Sequence, residues 1–376
     1  MVDRPLRVVW NAVLYDGRAS GANRRLTQIL RALTALPEGG GVEWILALRP
    51  QVEPPVVSPR VRVARVRVPR TPAALRAMRE GAELRRVLRE ARADVWIHES
   101  FPLPRTAEVP AVLTVHDLRD LDRAGSGSGW VRRTVAPAII RESLRRASRI
   151  VAVSQTTRGA IEAAEPTVAH RIAVIPNAAD HGKPLPRSKP SERARLLFVG
   201  HLEPRKGADL LPEVCFPDAR AAARTLTIVG RGPLERRLRT AFAARIAQGS
   251  VRFLQDLSDE ELAAEYAAAD VVLVPSRAEG FGIPALEALA AGAPVLASRI
   301  PALEEACGAA ARYVAGFEPE AWRTALDALL GEPAALARMC VEGQIWAARF
   351  AWRTSAVSLL RVLRGAAEER SNRSAQ

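Results

Sequence analysis

The chain has 376 residues, 48% hydrophobic and 26% charged, a length that suits two domains and leaves no run of about 18 uncharged apolar residues for a membrane span. Its net charge of +14 is unevenly shared: residues 1–180 hold 29 Lys and Arg against 18 Asp and Glu, residues 181–376 hold 26 against 23. Three scattered cysteines (Cys215, Cys307, Cys340) exclude a disulfide framework or a zinc site, and with no signal-peptide pattern at the N-terminus they imply a reducing, cytoplasmic setting.

The chain opens with a strand, Leu6 to Trp10, and a helix beginning near Gly21, in which Leu26, Ile29, Leu30 and Leu33 repeat at helical spacing. Strand Trp44 to Leu48 follows. Val61 to Arg70 alternates valine with arginine, giving one apolar and one basic strand face. A helix from Pro72 to about Ala91 leads to strand Val95 to His98. The next apolar strand ends in His116 and Asp117; ligands gather at the carboxyl ends of strands in open parallel sheets, so this polar pair is a site candidate. Gly125 to Gly129 form a flexible tip before a helix whose Trp130, Val131, Val135, Ile139, Ile140 and Leu144 face inward while its arginines face out. A domain helix packed on its sheet explains that pattern more simply than an interfacial membrane helix. Strands at Ile150 and Ile172 precede Asn177 to Asp180, and the Pro-rich, basic stretch 181–193 reads as an interdomain linker.

The second half begins with strand Leu196 to Val199 and a loop from Gly200 to Leu211. Gly200 lets the backbone turn close to a ligand, while Arg205 and Lys206 supply a fork and a point charge suited to a diphosphate. Lys206 stands out, because Lys183 and Lys189 are the only other lysines in an arginine-rich chain. Strand Thr225 to Val229 enters a glycine-rich turn at Gly230, and a helix near Ser258 has Glu261 in capping-box position.

Asp270 to Ser298 reads as strand, Gly-rich loop (Glu279 to Ile283), helix (Pro284 to Ala291) and strand. Pro284 fits the first helical position, yet Gly282 and Ile283 offer no capping side chain. The first-turn N–H groups are then orphan donors at the positive end of a helix dipole, a ready anion site. Glu279 and Glu287 flank it. Carboxylates repel a bare phosphate but accept from hydroxyls, so the ligand that fits carries both phosphate and sugar: a nucleotide sugar. Helices from about Pro319, a last helix Phe350 to Arg364 and a disordered tail over 369–376 complete the reading.

The run EGFGIPALEALAAGAPVLAS resembles the signature of the family 4 retaining glycosyltransferases of GT-B fold, with two glutamates eight positions apart, FG and P between them and a small-Gly-x-Pro-Val run after them. GHLEPRKG and GRGPL extend the resemblance. It implies an α/β fold of two Rossmann-like domains whose parallel sheets face across a cleft. Residues 1–182 would form the acceptor-side domain, with helix 350–368 packing back on it, and residues 190–349 the nucleotide-sugar domain.

By the same resemblance Arg205 and Lys206 hold the pyrophosphate and stabilise the departing nucleotide. Glu279 grips sugar hydroxyls beside the backbone of Gly280, Phe281, Gly282 and Ile283, and Glu287 takes the ribose. Gly200 and Gly230 turn at the donor, His116 lines the sugar, and Gly21, Arg24 and Asp117 lie on the acceptor side. Ala178, Gln255 and the absence of paired glycines near Gly21 depart from the family pattern.

The implied activity is transfer of a hexose, mannose from GDP-mannose as first expectation, to a hydroxyl of a glycan or lipid-linked acceptor in bacterial cell-surface polysaccharide synthesis. No metal or other cofactor is demanded and no nucleic-acid partner is implied. The basic first half suits an acidic acceptor or an anionic membrane surface, placing the protein in the cytoplasm or peripherally on the inner face of the membrane; an arginine-rich coding bias explains the charge equally well. Two alternatives stand beside this reading: a non-catalytic nucleotide- or glycan-binding member of the fold, and a GT-B enzyme with inverting or epimerase-like chemistry.

Overall fold

The computed structural model describes residues 4–18, 20–37, 41–69, 73–106, 109–118, 130–179, 193–217 and 223–374. The expected glycine tip at 125–129, Asp180 and nearly all of the expected linker lie outside these ranges. The chain forms two compact units, Met1–Asn177 with Trp352–Gln376, and Ala178–Ala351.

The first unit is a seven-stranded sheet: β1 (Leu6–Asn11), β2 (Val42–Leu48), β3 (Val61–Arg65), β4 (Val95–His98), β5 (Ala111–Val115), β6 (Arg149–Ala152) and β7 (Ile172–Val174). All its pairings are parallel, in the order β3-β2-β1-β4-β5-β6-β7. Helices α1 (Gly21–Ala35), α2 (Ala73–Glu90), α3 (Trp130–Arg146) and α4 (Gln155–Ala164) connect them. Strands covered by helices on both faces read as near-continuous apolar runs, and β4 and β5 are buried at every position, interrupted by His98 and Thr114. Trp10, Trp44 and Trp96 anchor the interior with no exposed surface. At the sheet edge β3 is only partly buried, and the Val-Arg alternation continues past its end, with Val66 and Val68 buried.

Helix α3 departs from the expected face. Ile140 and Leu144 are buried, but Val135 and Ile139 are about two-fifths exposed, 41% and 39%. Pro137 lies inside the helix and its apolar residues follow no single stripe, so the inward set is narrower than the spacing suggested.

The second unit holds β8 (Ala194–Val199), β9 (Arg224–Val229), β10 (Val251–Leu254), β11 (Val271–Val274), β12 (Val295–Ser298) and β13 (Arg312–Val314), parallel in the order β10-β9-β8-β11-β12-β13. Its helices are α5 (Leu211–Cys215), α6 (Glu235–Ala241), α7 (Ala243–Ala247), α8 (Asp259–Ala268), α9 (Ile283–Ala290), α10 (Pro301–Cys307), α11 (Pro319–Leu330) and α12 (Pro333–Ala347). Leu196, Phe198, Ile228, Leu273 and Trp322 are among its core.

The last helix, α13 (Trp352–Ser374), belongs to the first unit and packs against α1. It runs on through most of the stretch read as a disordered tail. Glu369 pairs with Arg149, and Arg370 Nη1 donates to the Ala93 carbonyl at 3.2 Å, which ties the extension to the sheet.

Each sheet reverses its strand order once, between β1 and β4 and between β8 and β11. The connections leave those neighbouring strands in opposite directions, so a crevice opens at their carboxyl ends. Both candidate clusters described next lie at these points.

Candidate functional site

In the second unit the loops after β8 and β11 are locked together by glycine and charge. Gly207 has φ +70°, and a Cβ there would collide with the Pro275 carbonyl. Gly230, at φ +144°, touches Gly200 so closely that a Cβ would overlap the Gly200 carbonyl. These positions require glycine for both conformation and space. With the backbones in contact, Arg277 N–H donates to the Arg205 carbonyl at 2.7 Å, and the Arg277 guanidinium grips Asp209 at 2.8 and 2.9 Å.

That scaffold brings Arg205, Lys206 and Glu279 together. Lys206 Nζ donates to both Glu279 oxygens at 2.6 and 2.7 Å, and Ser276 Oγ adds a third bond at 2.7 Å. Arg205 lies 3.9 Å from the same carboxylate and is held by Glu203 at 2.7 and 3.1 Å and by the Ala278 carbonyl at 2.9 Å. Burial pushes the Glu279 carboxyl up, but Lys206, Ser276 and Arg205 outweigh it and hold it below the ordinary value. Each cation is thus paired with a carboxylate that holds it in place, Arg205 with Glu203 and Lys206 with Glu279. An ammonium has three donors, and among the described residues two of those on Lys206 are used.

Three residues beyond Glu279, Gly282 caps α9 with φ +103° and no side-chain bond, and Pro284 occupies the first turn. The set of orphan N–H groups is smaller than the sequence suggested: Pro284 has no N–H and Ala285 donates to the Gly282 carbonyl at 3.1 Å, so only the N–H groups of Gly282 and Ile283 have no partner among the described residues, at the same strand switch as Lys206. A Cβ on Gly282 would come within 2.6 Å of Leu303 Cδ2, so packing as well as conformation fixes the glycine. Phe281 points into the protein against Phe350, ring centroids 5.8 Å apart, and Ile283 is buried. Both contribute backbone rather than side chain to the loop surface. Glu287 is 2% exposed, and Tyr266 on α8 donates its hydroxyl to Oε2 at 3.0 Å, a partner that nothing in the spacing disclosed. Gln255 donates to Glu235 at 2.9 Å.

In the first unit Gly21 is the first residue of α1, capped by Ser20, whose side chain accepts from Asn23 N–H at 3.2 Å. Asn23 also donates to Asp16 at 2.8 Å, which folds the preceding loop onto the helix start. Arg24, His116 and Asp117 are partly buried, the last two at the end of β5, one strand away from the switch between β1 and β4.

At that switch stands a polar cluster that the sequence did not reveal. Asn11, the last residue of β1, donates to Glu80 at 2.7 Å and to His98 Nδ1 at 3.0 Å, while His98 Nε2 donates to the Pro102 carbonyl at 3.1 Å. Beside it Arg25 is 1% exposed, and its Nη1 reaches Asn177 Oδ1 at 2.6 Å and the Ile175 carbonyl at 3.2 Å. Its Nε and Nη2 make no hydrogen bond among the described residues. Burial lowers the guanidinium to about 10 against the opposing pull of Glu99. Burial likewise raises the Glu99 carboxyl to about 7, with Arg25 pulling the other way.

Cys215 and Cys307 are buried, which pushes their thiols up to about 12, so neither offers a thiolate. Among the described residues no group of three or more His, Cys, Asp or Glu is placed to hold a metal ion, and no helix is long and apolar enough to cross a membrane.

Comparison with known proteins agrees with this architecture. Residues 19–183 match the model "Glycosyltransferase Family 4" and residues 193–332 the model "Glycosyl transferases group 1". A D-inositol 3-phosphate glycosyltransferase from Nocardia farcinica is 34% identical over 274 residues, covering 67% of this chain and 60% of that protein, so the match spans under two thirds of the relative's length. Sucrose-phosphate synthase from Thermosynechococcus elongatus superposes with a TM-score of 0.80 at 20% identity, over 96% of this chain and 98% of that one. HepE from Anabaena, solved with UDP-glucose, gives 0.71 at 18% identity, over 96% and 100%. At such identities the likeness shows the fold, which is that of the GT-B enzymes, while the two matched models together span most of the chain. The chain belongs to the family 4 glycosyltransferases.

Proposed function

We propose that this protein transfers a hexose from a nucleotide diphosphate sugar to an acceptor hydroxyl with retention of configuration. The observation that carries the reading is the junction of Lys206 and Glu279 at the strand switch, three residues from an uncapped helix start. A departing diphosphate needs positive charge that is already in place when the bond breaks. Arg205, the third donor of Lys206 and the N–H groups of Gly282 and Ile283 supply it, each worth a few kcal/mol of barrier. No metal enters this scheme.

Glu279 then does two things: it orients Lys206 and accepts from the sugar hydroxyls. Glu287, fixed by Tyr266, accepts from the ribose. Neither serves as a nucleophile; attack comes from the face of the leaving group, whose oxygen takes the acceptor's proton. His116 positions the sugar. Gly21, Arg24, Asp117 and the cluster around Asn11 and Arg25 form the acceptor side.

The donor panel includes GDP-mannose, the sequence expectation, and UDP sugars, since a solved structural neighbour holds UDP-glucose. The acceptor is a glycan, a lipid-linked glycan or a phosphorylated polyol, the last suggested by the Nocardia relative's name. A role in cell-surface polysaccharide synthesis on the inner membrane face follows if the acceptor is lipid-linked. The test is a screen of GDP and UDP sugars for nucleoside diphosphate release, with the product anomer assigned by NMR. Retained configuration is expected; an inverted product, or binding without turnover of any donor, would overturn the reading.

A further inference from the structure

At the amino ends of the first unit's strands, opposite the edge that carries Asn11 and His98, lies a cavity of about 700 Å³. Leu6 opens β1 there, Asp94 precedes β4 and Val109 precedes β5, while the last turn of α2 and the end of α13 form the walls. The six residues of β1 alone separate the two edges by roughly 17–20 Å. That length sets the cavity apart from Asn11, His98 and His116 at the carboxyl ends of the same sheet.

Its lining is strongly basic. Arg4, Arg85, Arg89, Arg92, Arg364 and Arg370 face it, against two carboxylates, Asp94 and Glu368. Asp94 is already occupied: Arg4 grips it at 2.6 and 3.1 Å, and Arg7 N–H donates to it at 2.9 Å. Arg85 gives Nη1 to the Arg105 carbonyl at 2.9 Å. The side chains of Arg89 and Arg92 have no hydrogen bond or ion pair among the described residues. Thr106 Oγ1, on another lining residue, is buried with no hydrogen-bond partner among the described residues.

Arg92 is presented deliberately by the backbone. It adopts φ +48°, rare for a side chain larger than Asn, as α2 ends with Ala93 N–H closing on the Leu88 carbonyl at 2.9 Å. Arginine at a helix carboxyl end does complement the dipole, but that end carries only about half a charge. The lining thus holds four more arginines than carboxylates, and of these Arg89 and Arg92 are the ones with no side-chain partner among the described residues.

Guanidinium groups gathered this way repel one another until an anion joins them, and their planar forks match phosphate oxygens. One phosphate monoester brings about −1.5 to −2 charge, so two neutralise the excess. The volume falls within the range of about 300–1,000 Å³ typical of small-molecule pockets.

We infer that this cavity is a second ligand site, taking a small molecule or a lipid headgroup that bears two or more phosphates, with Arg89 and Arg92 as its principal donors. The test uses the full chain, titrated calorimetrically with inorganic tripolyphosphate at low salt, and vesicles of phosphatidylcholine with and without cardiolipin, whose headgroup carries two phosphates. The parent is compared with Arg89→Gln/Arg92→Gln and with Arg205→Gln, which touches only the donor loop. Both cavity positions are exposed, so the fold is expected to survive, and thermal midpoints check it.

Tripolyphosphate binding weakened about tenfold or more by the cavity pair, the size of one charged hydrogen bond, and unchanged by Arg205→Gln, supports a soluble ligand. Cardiolipin-dependent vesicle binding lost in the cavity pair, with no tripolyphosphate binding there, supports a lipid headgroup. Equal binding by parent and cavity pair in both arms, or loss confined to Arg205→Gln, overturns the inference.

Discussion

Lys206 Nζ stands 2.6 and 2.7 Å from the two carboxylate oxygens of Glu279, and with the Arg277–Asp209 pair it joins the loop after β8 to the loop after β11. The side chains are 16% and 7% exposed, so the pair is largely withdrawn from water. Removing either partner alone strands a charge, which costs about 3–5 kcal/mol in comparable buried pairs. Lys206→Met is therefore expected to lower the unfolding free energy by that order, and Lys206→Met/Glu279→Gln to recover most of it. Urea denaturation of the four members of the cycle reads the coupling; additive single effects would show that the pair is not a structural unit.

Gly207 tests the scaffold rather than the charges. Its positive φ and its contact with the Pro275 carbonyl leave no room for a methyl group. Gly207→Ala is expected to destabilise by at least about 1–3 kcal/mol from backbone strain alone, and to reduce activity by shifting Lys206. Gly17, also at positive φ but with nothing near a Cβ, serves as the comparison: Gly17→Ala carries the conformational cost without the clash.

Tyr266 supports Glu287 from α8. Tyr266→Phe removes the hydroxyl donor from a carboxylate that is 2% exposed, at a cost of about 1.5–3 kcal/mol for a bond to a charged group. If Glu287 binds ribose, donor KM rises while acceptor KM does not. Unchanged donor KM in a folded variant would remove Glu287 from the donor site.

Glu99 sets a pH dependence of unusual sign. Its carboxyl is raised from 4.5 to about 7 in the folded protein, so between those values the native state binds the proton that the unfolded chain has lost. The stabilising contribution is present below the unfolded value and is lost as pH rises toward 7. Glu279, lowered by Lys206, works the other way: its contribution is present above the unfolded value and fades as pH falls through the folded one. Glu99→Gln should flatten the decline in stability between pH 4.5 and 7 relative to the parent, as followed by thermal unfolding across that range. An identical pH profile in the variant would contradict the assignment.

What could be read from the sequence was local in the chain. Gly282 and Pro284 mark a helix start within three residues, and an apolar strand ending in His116 is visible as a run. The Arg25 cluster was not legible, because Arg25, Glu99 and Asn177 lie far apart in sequence and meet only once β1, β4 and β7 share a sheet. Tyr266 escaped for the same reason: α8 meets α9 through tertiary packing, not spacing. On α3 the apolar residues were legible but their direction was not, and Val135 and Ile139 proved exposed. The last helix outran its expected end because Glu369 and Arg370 find partners on β6 and beside β4, which a polar tail alone does not disclose.

The central claim is that the Lys206 ammonium, oriented by Glu279, stabilises a departing nucleoside diphosphate. The most direct measurement is donor turnover by the parent, by Lys206→Met/Glu279→Gln and by Arg205→Gln, with each variant's fold verified by its unfolding midpoint. The account predicts a fall of about 100-fold or more in kcat for the folded double variant, as expected when a preorganised donor at a developing charge is lost. Parental turnover in that folded variant would contradict it.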